Sequence, residues 1–446
     1  MKIFSTYSVK IKYFNHIFKE TVALYREAVD YLIEVCLNEW DDISVIKGSL
    51  NQQRYVECLC HETADNTNVR YSYFDKGFYK FPSYLRRGAI NEAIGKVSSY
   101  KSNLANWEKE DKCLRGRKPS CPKAGYVYPC LYKTIMYEET GTYEAKIKVF
   151  IRNTWDWITV ELRKSDIDYI NRRCTTRKKC APTLQKRGHE WFLDFPFEEK
   201  IKLADTDIHE QTIVAVDLGI NSAATVSVMH SDGTVKGRKF LKLPKEYDSL
   251  NHSINRIKKA QQNHNHRIPR LWSKAKGIND DIAVKTANFI IDTAVLYNAD
   301  VIVLEHLDRD GKKRGSKKQR LHMWRSQYVQ SMVEDKAHRH GMRVSHVCAW
   351  NTSRLAYDGS GEVLRGTKGD LDSYSVCRFN SRKIYNCDLS ATYNIGSRYF
   401  IREILKSLPV RERLELEAKV PQVTKRSTCT LSTLISLNTE LMSFVA

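Results

Sequence analysis

The sequence predicts a multidomain chain, α+β in its first half and α/β in its second. Three observations carry that expectation. The chain has 446 residues, 42% of them hydrophobic, which allows more than one core and about three domains. Past residue 212, short apolar runs alternate with longer amphipathic stretches, the pattern of strands exchanging with helices. Asp217, Glu305 and Asp388, far apart in sequence, each stand at one end of such an element.

The N-terminal segment 1–18 reads as a β segment rather than as a leader, and no apolar run reaches the length of a bilayer span. A soluble, cytoplasmic, nucleoid-associated protein of a prokaryote is expected. Residues 19–119 read as helical, with apolar steps of three and four over Thr21–Leu37 and Ala89–Trp107. Between these, Phe81-Pro82-Ser83-Tyr84-Leu85-Arg86-Arg87 is a short Pro-broken element. The basic loop Lys112–Pro119 carries Gly116 and Pro119 and reads as a domain joint. Residues 120–200 read as β, with alternation over Lys146–Ile151 and Trp155–Leu162, and they can pair back with segment 1–18.

The next part has the order strand, strand, strand, helix, strand, helix, strand, helix. Its strands are 213–217, 223–229, 237–241, 301–305 and 343–347. Two helices, 249–274 and 280–298, precede the fourth strand; helix 321–340 follows it, and helix 388–408 comes last. That is the order of the ribonuclease H-type α/β fold, in which the first strand, the end of the fourth strand and the last helix each deliver an acid to one site. Residues 409–446 read as a peripheral tail with a short charged helix.

Asp217 ends the run Ile213-Val214-Ala215-Val216 and Glu305 ends Val301-Ile302-Val303-Leu304. A buried carboxylate of this kind needs a cation or hydrogen bonds. Asp388 could also be the N-cap of its own helix. Converging carboxylates offer hard oxygen ligands, which suit Mg²⁺ or Mn²⁺. Two such ions about 3.5–4 Å apart would activate water and stabilise the leaving oxygen of a phosphodiester, leaving a 5′ phosphate and a 3′ hydroxyl.

Lys and Arg outnumber Asp and Glu by 73 to 52, a formal charge of +21, which favours a polyanionic partner. Candidate phosphate contacts are Arg86 and Arg87 beside Phe81 and Tyr84; Arg115, Arg117 and Lys118 in the joint; and Lys312, Lys313, Arg314, Lys317 and Lys318 just after Glu305. No phosphate-loop or H-E-x-x-H motif is present, and none of the twelve cysteines forms a C-x-x-C pair.

The Asp217 segment, the Val301–Glu305 strand, Thr352-Ser353 and the Asp388-Leu389-Ser390-Ala391-Thr392-Tyr393-Asn394-Ile395 helix resemble the transposon-encoded TnpB nucleases and their descendants, the compact type V CRISPR effectors. Phe81–Arg87 and Trp155-Asp156-Trp157 are similar to TnpB segments as well. The resemblance implies an RNA-guided DNA endonuclease that binds a guide RNA, reads a short flanking motif on double-stranded DNA, and leaves sequence reading to base pairing. It implies a wedge β-barrel (1–18 and 120–200) around a helical recognition domain (19–119). A RuvC-like nuclease domain (201–350 and 386–408) follows, with a target-nucleic-acid-binding insertion (351–385) and a tail (409–446). Asp217, Glu305 and Asp388 would be the metal-binding catalytic residues. Relatives often carry two cysteine pairs that hold zinc in the insertion. Here Ala356 and Gly359 stand at the first pair, and Cys377 and Cys387 cannot close a tetrahedral site. No structural zinc is expected; the insertion would be held by packing around Leu355, Tyr357, Tyr374 and Phe379 or ordered by nucleic acid. The same features also admit a guided DNA-binding protein with little cleavage, or a transposase of the same fold.

Overall fold

A computed structural model describes residues 1–12, 16–111, 115–219, 222–307 and 325–445. The chain divides into two compact units, residues 2–200 and residues 201–446 with Met1. Among the described residues no helix is long and apolar enough to cross a membrane.

In the first unit, β1 (Lys2–Lys10) is followed by α1 (Ile17–Asn38), α2 (Trp40–Val45), α3 (Ser49–Cys60), α4 (Tyr73–Gly77) and α5 (Ser83–Lys109). Then come β2 (Tyr137–Gly141), β3 (Glu144–Ile151), β4 (Thr154–Glu161), α6 (Lys164–Arg173), β5 (Lys178–Lys179), β6 (Thr183–Arg187) and β7 (Glu190–Lys200). β1 pairs antiparallel with β7 over its whole length, Lys2 opposite Lys200, so the helical run is an excursion between two paired strands. α1 buries Val22, Tyr25, Val29, Leu32, Ile33 and Cys36, the stripe that a 3.6-residue period puts on one face. These side chains join one core with Ile147 and Val149 of β3 and Leu193 and Phe195 of β7.

Two local expectations change. Pro82 is the N-cap of α5, so helix begins at Ser83, inside the segment expected to be broken. Proline is excluded from a helix interior but tolerated at its boundary. Residues 164–173 fold as helix α6 where β structure was expected; it buries Ile167 and Ile170, and Arg172 and Arg173 sit in its last turn, where they favour the helix dipole.

The second unit opens with β8 (Ile213–Asp217), β9 (Ala224–Met229) and β10 (Val235–Leu241). It continues with α7 (Pro244–Gln262), α8 (Pro269–Leu296), β11 (Val301–His306), α9 (Ser326–Arg339) and β12 (Arg343–Cys348). Three short strands follow, β13 (Leu364–Arg365), β14 (Val376–Arg378) and β15 (Ile384–Asn386), and then α10 (Cys387–Ser407), α11 (Val410–Lys419) and α12 (Leu431–Val445). The large sheet has the order β10-β9-β8-β11-β12. β8, β9 and β10 pair antiparallel, whereas β11 runs parallel to both β8 and β12.

Strand alternation assigns the two faces of this sheet. Ile213, Ala215, Val301 and Val303 point to one side, in a core with Tyr393 and Phe400 of α10. Val214, Val216, Ile302 and Leu304 point to the other, against Ile290 and Ile291 of α8 and Val333 of α9. Gly396 lets α10 approach closely, because a Cβ there would lie 2.5 Å from Met229 Sδ and 3.2 Å from Ala215 Cβ.

The long polar helices break at 263–268 rather than at the expected 275–279. Pro269 occupies the first turn of α8, where its missing N–H costs nothing, and Gly277 lies within that helix. The tail is not peripheral. Leu416, Val423, Leu431, Leu434 and Leu437 are buried in the same core as α10.

Candidate functional site

The parallel register pairs Val301 with Ile213 and Val303 with Ala215. Two residues further on, Glu305 is level with Asp217 at the same sheet end. Adjacent strands are about 4.8 Å apart, so the two carboxylates are near neighbours. Asp388 arrives from α10, which lies across this sheet. The N-cap of that helix is Asn386, whose Oδ1 accepts from Leu389 N at 2.9 Å. Asp388 is therefore not the cap. It sits in the first turn, where the helix dipole favours a carboxylate, and its side chain accepts a hydrogen bond from Ser222, which follows Asp217 closely in sequence.

The electrostatics agree with this convergence. Burial, then the negative charges of Glu305 and Asp388, push the Asp217 carboxyl well above the usual carboxylate range. Burial raises Glu305 too, opposed by a hydrogen bond from Thr352 and the charge of Arg398. Asp388 is raised by burial and held back by Arg365 and Ser222. Buried like charges resist joint ionisation, and a bound cation removes that resistance. The donor set is all oxygen and fits a hard divalent ion. Among the described residues no group of three or more His, Cys, Asp or Glu, these acids included, stands ready to hold a metal ion.

Supporting residues come from the segment after β12. Thr352 Oγ1 donates to Glu305 Oε1. Asn394, buried on α10, donates to the carbonyls of Thr352 and Leu355 at 2.9 Å each. Arg398 Nη1 donates to the carbonyls of Cys348 at 2.6 Å and Trp350 at 2.8 Å. Arg365, on β13, acts on both Asp217 and Asp388 and donates to the Ser353 carbonyl. The sequence reading missed Arg365 and Arg398. Arg398 falls on the helix that carries Asp388, whereas nothing in its local sequence marks Arg365.

Of the candidate phosphate contacts, Arg86 is buried and its Nε and Nη2 donate to Glu57 Oε1 at 3.1 and 2.9 Å. It is committed inside the helical block and does not face solvent. Arg87 also pairs with Glu57, at 3.0 Å, but remains half exposed over the Tyr84 ring. Arg115 and Lys118 lie over the Trp107 ring at 4.9 and 6.0 Å, and Arg117 is exposed. Lys312, Lys313, Arg314, Lys317 and Lys318 lie outside the described residues.

The insertion between β12 and α10 has its own small core of Ala356, Cys377, Phe379 and Cys387, with Tyr357, Val363 and Tyr385 against it. Tyr374, expected in that core, is 72% exposed. Asp358 ties its two loops together, accepting from Ser360 N at 3.0 Å and Ser381 Oγ at 2.7 Å. Burial would raise the Asp358 carboxyl, yet these hydrogen bonds hold it below its ordinary value. Gly359 has φ +78°, a conformation in which any other residue is strained.

Comparison with known proteins adds the following. The model of a family described as the Aq_aa04 family matches residues 5–151. The uncharacterised protein aq_aa04 of Aquifex aeolicus is 54% identical over 52 residues, 12% of this chain and 30% of that protein. The TnpB-like protein aq_aa05 of the same organism is 25% identical over 236 residues, 47% of this chain and 74% of that one. The TnpB-like protein MJ0751 of Methanocaldococcus jannaschii is 24% identical over 194 residues, 41% of this chain and 67% of that one. A solved Cas12f1-sgRNA-target DNA complex aligns at 14% identity and a TM-score of 0.34, covering 88% of this chain and 98% of that one.

Proposed function

We propose that this TnpB-like chain is an RNA-guided, metal-dependent DNA endonuclease with a RuvC-like nuclease domain of ribonuclease H fold. The observation that carries the reading is the delivery of three acids by β8, β11 and the first turn of α10 to one end of one sheet. The strand order β10-β9-β8-β11-β12 with helices on both faces supports the fold. The pairing of β1 with β7 around a helical excursion supports a split wedge domain around a recognition domain, with residues 351–385 as the target-strand insertion. A charge of +21 and relatives named TnpB-like support guide RNA and target DNA as partners.

In this reading Asp217, Glu305 and Asp388 hold Mg²⁺ or Mn²⁺, one ion or a pair. Held by these residues, such an ion would lower the pKa of water and neutralise charge on the phosphodiester. Thr352 occupies one Glu305 oxygen, and the other would be the one to ligate such an ion. Asn394 and Arg398 hold the backbone on either side of Thr352, so that contact is pre-organised. Arg365 brings positive charge to Asp217 and Asp388 and would pair with the phosphate undergoing attack. The carboxylates must be ionised to act, so burial makes the site weak until a cation is present.

The test is direct. Protein purified with its RNA should cut DNA that matches the RNA guide, with Mg²⁺, leaving 5′ phosphate ends. Asp217→Ala should lose cleavage and keep DNA binding. A chain that carries no RNA, or one whose cleavage survives that substitution, would refute the reading.

A further inference from the structure

A second site lies within the second unit, apart from the acids. The last turns of α10, the strand β12, α11 and the segment 423–429 enclose a cavity of about 300 Å³. That volume is in the range of pockets that take a small organic ligand. Its floor is apolar, with Ile401, Leu405 and Val423. Its wall is cationic: Arg402, Lys406, Arg413 and Arg426 all line it, against the single carboxylate of Glu417.

These cations differ in what they already hold. Arg402 donates to the His346 carbonyl at 2.9 Å, to Ser345 Oγ at 2.6 Å and to Glu403 at 2.7 Å. Lys406 reaches Glu403 at 3.1 Å. Arg413 is different. It pairs with Glu417, its Nε 3.6 Å from the carboxylate, while its side chain is 43% exposed and its terminal nitrogens hold no hydrogen bond among the described residues. Arg426 is exposed, with no ion pair among the described residues. The terminal nitrogens of Arg413 and the Arg426 guanidinium, on a wall of excess positive charge, match the planar two-point recognition of a phosphate. The apolar floor matches a ring and sugar, not a bare inorganic ion.

We propose that this cavity binds a nucleotide, its phosphate held by Arg413 and Arg426 and its base against Ile401 and Leu405. The phosphate comes from a free mononucleotide or from the end of an RNA strand. The site stands independently of the acid site, and neither proposal requires the other.

The experiment is calorimetry on the whole protein, washed free of nucleic acid at high salt, with AMP, adenosine, and a short oligoribonucleotide with or without a 5′ phosphate. The expected result is that AMP binds at least tenfold more tightly than adenosine. Arg413→Gln combined with Arg426→Gln should weaken AMP at least tenfold. Arg426→Gln alone, at an exposed position, should weaken it severalfold with the unfolding midpoint unchanged. Binding confined to the phosphorylated oligonucleotide, and lost in the same variants, assigns the site to a strand end. Equal binding of AMP and adenosine with no preference for the phosphorylated oligonucleotide, or affinities that ignore Arg426→Gln and the double variant, overturns the proposal.

Discussion

At the scale of single residues the proposed chemistry turns on Asp217. Its carboxyl is raised by burial and by two neighbouring acids. An acid whose folded pKa exceeds its unfolded value of about 4 destabilises the fold when ionised. Stability is therefore lost as pH rises from that value through the raised one. Asp217→Asn should raise the unfolding midpoint of the metal-free protein near neutral pH and flatten its pH dependence; scanning calorimetry from pH 4 to 8 checks both. The same substitution should abolish cleavage. Thr352→Val leaves the Glu305 oxygen without its donor, and a loss on the order of 1–3 kcal/mol in transition-state stabilisation should appear as a lower kcat at saturating Mg²⁺. The placement of the three acids was legible because each ends an apolar strand or opens a helix. Arg86 was misjudged because sequence shows its charge but not Glu57 beside it. Arg365 was invisible because its role depends on where an insertion folds back.

Secondary-structure elements explain how the acids are held. α10 must lie flat on the sheet for Asp388 to reach Asp217, and Gly396 is where it touches. Gly396→Ala should cost about 1–3 kcal/mol from overpacking, seen in urea unfolding of the second unit, and should lower cleavage by moving Asp388. The insertion is braced by Phe379 and by the Asp358 cross-link. Because the Asp358 carboxyl is held low, its contribution is present above the unfolded pKa and lost as pH falls through the folded one. Asp358→Ala should raise hydrogen exchange throughout 354–386 at neutral pH, whereas a zinc chelator should leave it unchanged. One equivalent of zinc in the purified protein would contradict that account. The strand runs of the second unit were legible from their alternation. The break between α7 and α8 was misplaced because Gly277 is a weaker helix breaker than Pro269.

For the whole molecule, the C-terminal tail belongs to the second unit's core. Its signal was present, since Leu431, Leu434 and Leu437 recur at helical spacing, but Ser and Thr between them read as loop. Deleting 409–446 should unfold the second unit cooperatively at a lower temperature, measured by circular dichroism. The positive charge predicts nucleic-acid affinity that falls steeply with salt. The central claim is that Asp217, Glu305 and Asp388 form one divalent-cation site. Manganese titration followed by electron paramagnetic resonance tests it most directly, comparing the native chain with Asp217→Asn, Glu305→Gln and Asp388→Asn. Saturable Mn²⁺ binding that weakens at least tenfold in every variant, and weakens in the native chain as pH falls, is the predicted result. Unchanged Mn²⁺ binding in any one of the three variants would contradict it.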